Sequence, residues 1–339
     1  MMVRLLRNPM FLIGALFIIG LFVSSLVYHV LKDDSIPVIG LLHDDDGELV
    51  PHPYSPTDHP PFGTEHFGRD LLTIMVIGAK YTLGIAFVTA FLRVFISSVI
   101  GVFVGMFVSK TKKLFAWLVD AGNYFPATLL AFFLLIWVLF YEKLYVGEYS
   151  LSFAEQGLII VLVLTAIAIP TNSLLVLNET DRFLKKEFME GVTVLGAGKR
   201  HILKKHLIPF LIPQLIMIYM RELIQVLLIM AHLGILRIFV GGMDVKEDMF
   251  RTPREYSLSN EWSGLLGLWW EFIWTGYPWI TFIPVLAFTL TILAGKMTLT
   301  GFERELSRSA SHRKRTRTNT KRPARTVNVT DFTQLSSKS

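Results

Sequence analysis

Residues 196–200, GAGKR, are the stretch of this sequence most like a nucleotide-binding loop. A phosphate-binding P-loop needs glycine at position 193 and serine or threonine at position 200, where this chain has Thr193 and Arg200. No other stretch fits that pattern, and G-x-S-x-G and H-E-x-x-H motifs are also absent from the sequence. We therefore predict that the chain is not an enzyme and uses no cofactor or metal. Any ATP hydrolysis would occur on a separate subunit.

Three charged residues lie inside long apolar runs: Arg93, Arg221 and Glu222. A charge within a membrane span costs several kcal/mol unless it is paired or hydrated, so all three should face the interior of a helix bundle. Because Arg221 and Glu222 are adjacent, they point about 100° apart on a helix and cannot pair well with each other. We favour a structural ion pair between Arg93 and Glu222 over contact of these charges with a charged substrate in a translocation path.

The composition is that of a membrane protein with several spans. Of the 339 residues, 52% are hydrophobic and 18% are charged, whereas soluble domains average about 45–50% and about 25%. The apolar residues are concentrated in blocks of about 20 residues, the length that crosses a bilayer core. The chain has no cysteine, which excludes disulfides and cysteine-based metal or redox sites. The predicted spans are residues 10–30, 81–108, 114–141, 157–177, 209–233 and 278–299.

Basic clusters orient these spans, because cytoplasmic loops carry an excess of lysine and arginine. Arg4 and Arg7 precede the first span, and residues 109–113 read SKTKK. We therefore predict an all-α protein of the cell membrane with six transmembrane helices and cytoplasmic N- and C-termini. Its segments are a cytoplasmic N-terminus (1–9), the first transmembrane helix (10–31), an extracellular loop (32–75), a transmembrane core (76–303) with a cytoplasmic loop (180–208), and a basic, disordered cytoplasmic tail (304–339).

Residues 187–209, EFMEGVTVLGAGKRHILKKHLIP, form a polar excursion between the fourth and fifth predicted spans. Gly196 and Gly198 interrupt a helical pattern, because glycine costs about 1 kcal/mol in a helix interior and tolerates positive φ. Leu195 and Ile202 lie on a narrow apolar edge, opposite a basic face. The pattern predicts a helix, a turn at the glycines and a second helix.

The spacing of this segment resembles the EAA loop of ABC-importer permeases. The matching positions are Glu190, Gly196, Ile202, His206 and Pro209. Two alanines that follow the glutamate in that family are replaced here by Gly191 and Val192. The resemblance implies a coupling helix that lies in a groove of a cytoplasmic ATPase. Glu190 would pair with a basic residue there, Gly196 would form the turn, and Leu195 and Ile202 would anchor the contact.

A second stretch narrows the resemblance to one subfamily. Residues 63–70, GTEHFGRD, resemble the GTDxxGRD signature that precedes the second span in C-type permeases of oligopeptide and dipeptide importers. The matching positions are Gly63, Thr64, Gly68, Arg69 and Asp70. Asp120 and Pro126 resemble the LVDxxxxFP pattern of that family, and Trp262 lies in a stretch that resembles its xWGxxL element. The resemblance covers about residues 61–306, and Pro126 should kink the third span.

The resemblance implies the transmembrane subunit of an ABC importer, with ATP hydrolysis on other chains. Its implied partners are a second permease in a heterodimer, two cytoplasmic ATPase subunits, an extracytoplasmic substrate-binding protein and membrane lipid, with no nucleic acid. Oligopeptides or dipeptides are the implied cargo, although nickel importers use the same subfamily. Two alternatives stay open: an exporter or channel that works without an ATPase, and a permease-like protein that has become a sensor or scaffold.

Four further patterns carry expectations of their own. Residues 43–48, HDDDGE, together with nearby histidines raise the possibility of metal capture, but their spacing fits no EF-hand, and we favour a solvated loop. Gly101 and Gly105 form a G-x-x-x-G that suits close helix packing. The four tryptophans of residues 237–276 should lie at the membrane interface. The basic tail should be disordered, acting as a topology anchor or touching anionic lipid.

Overall fold

Long apolar helices account for most of this computed structural model, which describes residues 5–43, 48–108, 112–122, 124–139, 151–248 and 251–319. Among those residues, five helices are long and apolar enough to cross a membrane. They are α1 (Pro9–Lys32), α2 (Leu71–Phe107), α5 (Phe153–Leu184), α8 (Ile208–Ile235) and α10 (Trp279–Asn319). Five of the six predicted spans are thus present as helices, each extending beyond its predicted limits at one or both ends.

Shorter elements connect the long helices. The short helices are α3 (Lys112–Gly122), α4 (Ala127–Leu139), α6 (Glu187–Val194), α7 (Lys199–Ile202) and α9 (Trp262–Trp269). A π-helical turn (Leu203–Leu207) follows α7, and a 3-10 turn (Trp270–Trp274) follows α9. Two antiparallel hairpins pair β1 (Leu42–His43) with β2 (Leu49–Val50), and β3 (Met243–Glu247) with β4 (Pro253–Ser257).

Side-chain caps fix where three of the long helices begin. The Asn8 side chain accepts the Met10 amide at 3.1 Å ahead of α1, and Asp70 accepts the Thr73 amide at 2.7 Å ahead of α2. Ser152 and Glu155 form a reciprocal capping box on α5. Each cap satisfies amides that lack a partner within the helix. The Asp70 cap explains why α2 begins at Leu71, ahead of both the predicted second span and the predicted core boundary at residue 76.

The third predicted span is not one kinked helix. The chain breaks between α3 and α4, with Pro126 immediately before α4. Proline lacks an amide hydrogen and clashes with the preceding turn, so it ends the helix here rather than bending it. The 13 residues of α4 span about 20 Å, less than a bilayer core of about 30 Å. Residues 140–150 lie outside the described residues, so the sixth span stays a prediction.

Glycines allow α2 and α5 to pack closely, as the G-x-x-x-G pattern predicts. A Cβ on Gly101 would lie 2.6 Å from the carbonyl oxygen of Ser173, and one on Gly105 would lie 2.9 Å from Thr180 Cγ2. Helix backbones can approach this closely only where the side chain is absent. The contact holds α2 and α5 together near the C-terminal end of each helix.

Helix α9 is buried, which corrects the expectation that its tryptophans lie at the membrane interface. Of the four tryptophans of residues 237–276, Trp262 and Trp269 are almost fully buried in the core, whereas Trp270 and Trp274, just after α9, are exposed. The Trp262 indole donates to the Met75 carbonyl at 2.8 Å, which satisfies its one polar group. A Cβ on Gly267 of α9 would overlap the carbonyl oxygen of Gly234 on α8, so that glycine is what lets α9 enter the bundle.

The first part of the predicted disordered tail is helical. Helix α10 continues past residue 304 to Asn319. Glu305 is buried, accepts a hydrogen bond from Asn8 Nδ2 at 3.4 Å and pairs with Arg308 at 2.9 Å. These contacts attach the start of the tail to the beginning of α1, which the composition of the tail could not indicate. Residues 320–339 lie outside the described residues.

Candidate functional site

The segment from Glu187 to Leu207, called the coupling segment below, folds as a helix, a turn and a second helix, as its pattern predicts. Gly196 has φ +82°, a left-handed conformation that favours glycine. Its amide donates to the Thr193 carbonyl at 3.0 Å, and the Ala197 amide donates to the Val192 carbonyl at 3.3 Å. These two bonds form a Schellman motif, which ends α6 and satisfies carbonyls that the helix leaves free.

One face of the coupling segment is anchored in the bundle. Met189, Ile202 and Leu207 are buried in a cluster with Phe183 at the end of α5 and Leu211 at the start of α8. The resemblance placed Ile202 in the contact with an ATPase, and the structure places it in the chain's own core. The reason is that α7, the π-helical turn and α8 form one continuous helix, so Ile202 lies in the same buried cluster as Leu207 and Leu211.

The opposite face of the coupling segment is open to solvent. Val194 and Leu195 are 86% and 87% exposed at the turn, and Glu190 is exposed on α6. A concave surface that encloses a volume of about 450 Å³ lies beside them. It is lined by Val192, Leu195, Gly196, Ala197, Gly198, His201 and His206. Gly191 is also exposed, while Pro209 lies in the first turn of α8. An exposed apolar tip beside a concavity is suited to contact with another protein.

The predicted ion pair between Arg93 and Glu222 is present. Arg93 Nη1 lies 2.9 Å from Glu222 Oε2, and the two side chains are 1% and 6% exposed. Arg93 Nε also donates to the Leu164 carbonyl at 2.9 Å, so the arginine joins α2, α5 and α8. Burial of either charge without the other would be strongly unfavourable.

Arg221 has a different partner, as its angle from Glu222 requires. Its Nη2 lies 2.8 Å from Glu303 Oε1 on α10, and the two side chains are 57% and 39% exposed. This pair therefore lies on the surface of the bundle, whereas Arg93 and Glu222 lie within it. Of the three predicted charges, Arg221 is the one whose position leaves it accessible from outside the chain.

The signature loop, residues 63–70, acts structurally in this chain. Gly63 and Gly68 have φ +77° and +74°, and buried Thr64 accepts the Tyr54 amide at 2.8 Å. Arg69 pairs with buried Glu65 at 2.6 Å, and Asp70 caps α2. The motif thus folds the loop that precedes α2 onto the start of that helix.

Of the three remaining motif positions, two lie apart from that loop. Asp120 is exposed on α3, and Pro126 marks the break before α4. Trp262 is buried against α2 and contacts the Phe288 ring edge-on at 5.7 Å. The structure therefore brings Trp262 and the signature loop to one end of α2, while Asp120 and Pro126 lie with the third predicted span.

Two buried charged groups were not found from the sequence. Glu261 caps α9 through the Ser263 amide at 3.0 Å and accepts from the Thr82 hydroxyl at 3.2 Å. Burial raises the pKa of the Glu261 carboxyl, although these hydrogen bonds act in the opposite direction. Lys80 on α2 pairs with Asp34 just after α1. Glutamate is not among the residues preferred at a helix N-cap, so the sequence carried no signal for Glu261.

His66 in the signature loop is a buried titratable group. Burial lowers the pKa of His66. The carboxylates of Glu65 and Asp248 raise this pKa, whereas the positive charges of Arg69 and Arg254 lower it further. The His66 ring stacks on Phe272 with centroids 5.4 Å apart. Its Nδ1 lies 3.0 Å from Glu65 Oε2, but the direction does not suit a hydrogen bond, and neither ring nitrogen has a hydrogen-bond partner among the described residues.

We expect the purified protein to lose thermal stability as pH falls below about 6.5, the ordinary pKa of histidine. The unfolded chain then takes up a proton that folded His66 resists, so acid favours unfolding. His66→Phe keeps the stacking on Phe272 and should flatten this part of the pH profile. Melting curves of both proteins between pH 5 and 8 check this, and parallel profiles for the two would contradict it.

Five apolar helices, a buried ion pair that joins three of them and a polar helix–turn–helix between two spans define a multi-pass membrane protein. Residues 97–308 match the family described as "Binding-protein-dependent transport system inner membrane component". The match covers more than half of the chain, so the chain belongs to that family.

Curated relatives are membrane subunits of transport systems. The chain is 32% identical to the Oligopeptide transport system permease protein OppC of Haemophilus influenzae over 148 residues, which are 44% of this chain and 43% of that protein. It is 22% identical to the Peptide transport system permease protein SapC of Haemophilus influenzae over 232 residues, 68% of each chain. The similarity to OppC thus spans less than half of the length of that protein.

Proposed function

We propose that the chain is the C-type transmembrane subunit of an ATP-driven importer of oligopeptides or dipeptides. The observation that carries the proposal is the coupling segment, in which a Schellman turn presents Val194 and Leu195 to solvent. Membership of the binding-protein-dependent family supports it, and so do the names of the relatives, which are permeases for oligopeptides and peptides. Its partners would be a second permease, two ATPase subunits and an extracytoplasmic binding protein.

The coupling segment would transmit ATP-driven movement through its two faces. Val194 and Leu195 would enter a groove of the ATPase, and Glu190 would pair with a basic residue beside it. Met189, Ile202 and Leu207 attach the other face to α5 and α8, so displacement of the turn would move both spans. A bundle with inward- and outward-open states would respond as a two-state system biased by ATP.

The proposal places the coupling segment and both termini in the cytoplasm and the 32–70 loop outside, in a bundle of six spans. Support comes from the basic residues of the coupling segment, since lysine and arginine accumulate in cytoplasmic loops. The exposed pair of Arg221 with Glu303 is the candidate for contact with the translocation path. A channel without an ATPase would give the exposed apolar turn no partner.

We expect the tagged full-length chain, isolated in mild detergent, to bring with it a second permease and a nucleotide-hydrolysing subunit. The exposed apolar turn is the surface that such a partner would cover, because contact with another protein removes apolar side chains from water. Mass spectrometry of the isolated complex identifies the subunits. Leu195→Asp, at a solvent-exposed position, should release the ATPase while the second permease stays bound. Recovery of the wild-type chain alone, at normal yield, would favour a channel or a scaffold.

A further inference from the structure

An apolar groove lies between the C-terminal end of α2 and the N-terminal end of α8, on the side that the proposed function places in the cytoplasm. It has a volume of about 340 Å³. Val102, Phe103 and Phe107 of α2 line one side, and Ile208, Leu211 and Leu215 of α8 line the other. Both helices that form the groove are candidate membrane spans.

A basic side chain, Lys199, lies at one end of this groove. Lys199 Nζ lies 5.1 Å from the centroid of the Phe107 ring, which forms the groove wall. Across the described ranges, no carboxylate pairs with the basic residues of the coupling segment. These are Lys199, Arg200, Lys204 and Lys205. The basic residues Lys112, Arg182 and Lys185 nearby all have carboxylate partners within 3.0 Å.

We infer that the groove binds an anionic phospholipid of the inner leaflet. One acyl chain fills the space between α2 and α8, and the phosphate lies at Lys199 and its basic neighbours. Charge complementarity carries this inference, because basic pockets between spans on the cytoplasmic side attract anionic head groups. A soluble phosphate would leave the apolar walls in contact with water. Leu203 also lines the groove and begins the π-helical turn, so the bound lipid contacts the coupling segment directly.

A photo-crosslinking experiment on the full-length chain in lipid nanodiscs tests this inference. The probe is phosphatidylglycerol with a diazirine on its acyl chain, and mass spectrometry locates the adducts. We expect adducts within residues 98–107 and 203–215. Unlabelled phosphatidylglycerol should compete about fivefold better than phosphatidylcholine for each basic contact made. Lys199→Gln should reduce that preference, and Val102→Phe, which fills the groove, should reduce the adducts themselves.

Lys246→Gln is the matched control, because Lys246 also lies over a phenylalanine ring, 5.6 Å from the centroid of Phe67, but on the outer hairpin. It should leave both the adducts and the lipid preference unchanged. Equal competition by the two lipids, or adducts confined to other helices, would overturn the inference. Because the chain has no cysteine, Phe103→Cys can also be cross-linked in native membranes, and capture of a protein at that position would show a protein occupant instead.

Discussion

Arg93→Met is expected to remove most of the folded protein from detergent extracts, and Glu222→Met should do the same. Either change leaves the partner charge buried without compensation, which costs about 3–5 kcal/mol. Total stabilities of domains are about 5–15 kcal/mol, so the loss is a large fraction of what holds the bundle together. Size-exclusion chromatography measures the monodisperse fraction, and thermal unfolding measures the stability of what remains.

The double variant Arg93→Met/Glu222→Met should recover much of that loss, because replacing both members of a buried pair by apolar residues is often nearly neutral. The exposed pair of Arg221 with Glu303 supplies the control for folding. Its single variants should retain normal yield, since exposed pairs contribute about 0–1 kcal/mol. Losses at Arg93 and Glu222 that simply add in the double variant would contradict the pairing.

Features set by local pattern could be predicted from the sequence. Blocks of apolar residues gave five of the spans, because a bilayer core requires that length. Gly196 gave the turn of the coupling segment, because a left-handed residue ends a helix. The buried pair followed from the cost of isolated charges in a membrane and from the angle between Arg221 and Glu222.

Features set by contacts between distant segments could not be predicted in this way. The burial of Trp262 and Trp269 depends on the close approach of Gly234 and Gly267, which no local pattern records. The same holds for Lys80, whose partner Asp34 lies on another segment. Aromatic and charged residues near the end of a span suggest a membrane interface or a loop. The packing of α9 into the bundle is what buries Trp262 and Trp269 instead.

Within the coupling segment, the sequence predicted the shape but not the direction of each face. Ile202 and Leu195 lie on one apolar edge in the sequence pattern, yet Ile202 is buried and Leu195 is exposed. The turn at Gly196 separates the two residues, so α6 and α7 present different faces to the bundle. A helical periodicity cannot be extended across a left-handed residue, which explains the error at Ile202.

We expect Gly196→Val and Glu190→Lys to insert normally and yet to lose coupling. Both residues lie on the solvent-facing side, and nothing lies within 4 Å of a Cβ placed on Gly196, so neither change disturbs the bundle. Valine at φ +82° is strained by about 1–2 kcal/mol or more, which would distort the turn that presents Leu195. Lysine at position 190 reverses the charge proposed to face a basic residue of the ATPase. Membrane fractions measure insertion, and co-purification measures ATPase binding.

Gly198→Val is the matched control for the turn. Gly198 also has open space around its Cβ position, but its φ is −69° and its ψ is 157°, an extended conformation that valine adopts readily. The two variants therefore add the same side chain, two residues apart, to the same exposed turn. They differ in whether the backbone there requires glycine.

Peptide-stimulated ATP hydrolysis by the isolated complex measures coupling most directly. Gly198 lines the concave surface beside the turn, so Gly198→Val measures the effect of the added side chain alone, and its complex should keep most of the peptide-stimulated rate. The complex with Gly196→Val should lose about tenfold or more of the stimulated rate, since 1.4 kcal/mol corresponds to a factor of ten. Equal stimulation in Gly196→Val, Gly198→Val and wild type would contradict a coupling role for this segment.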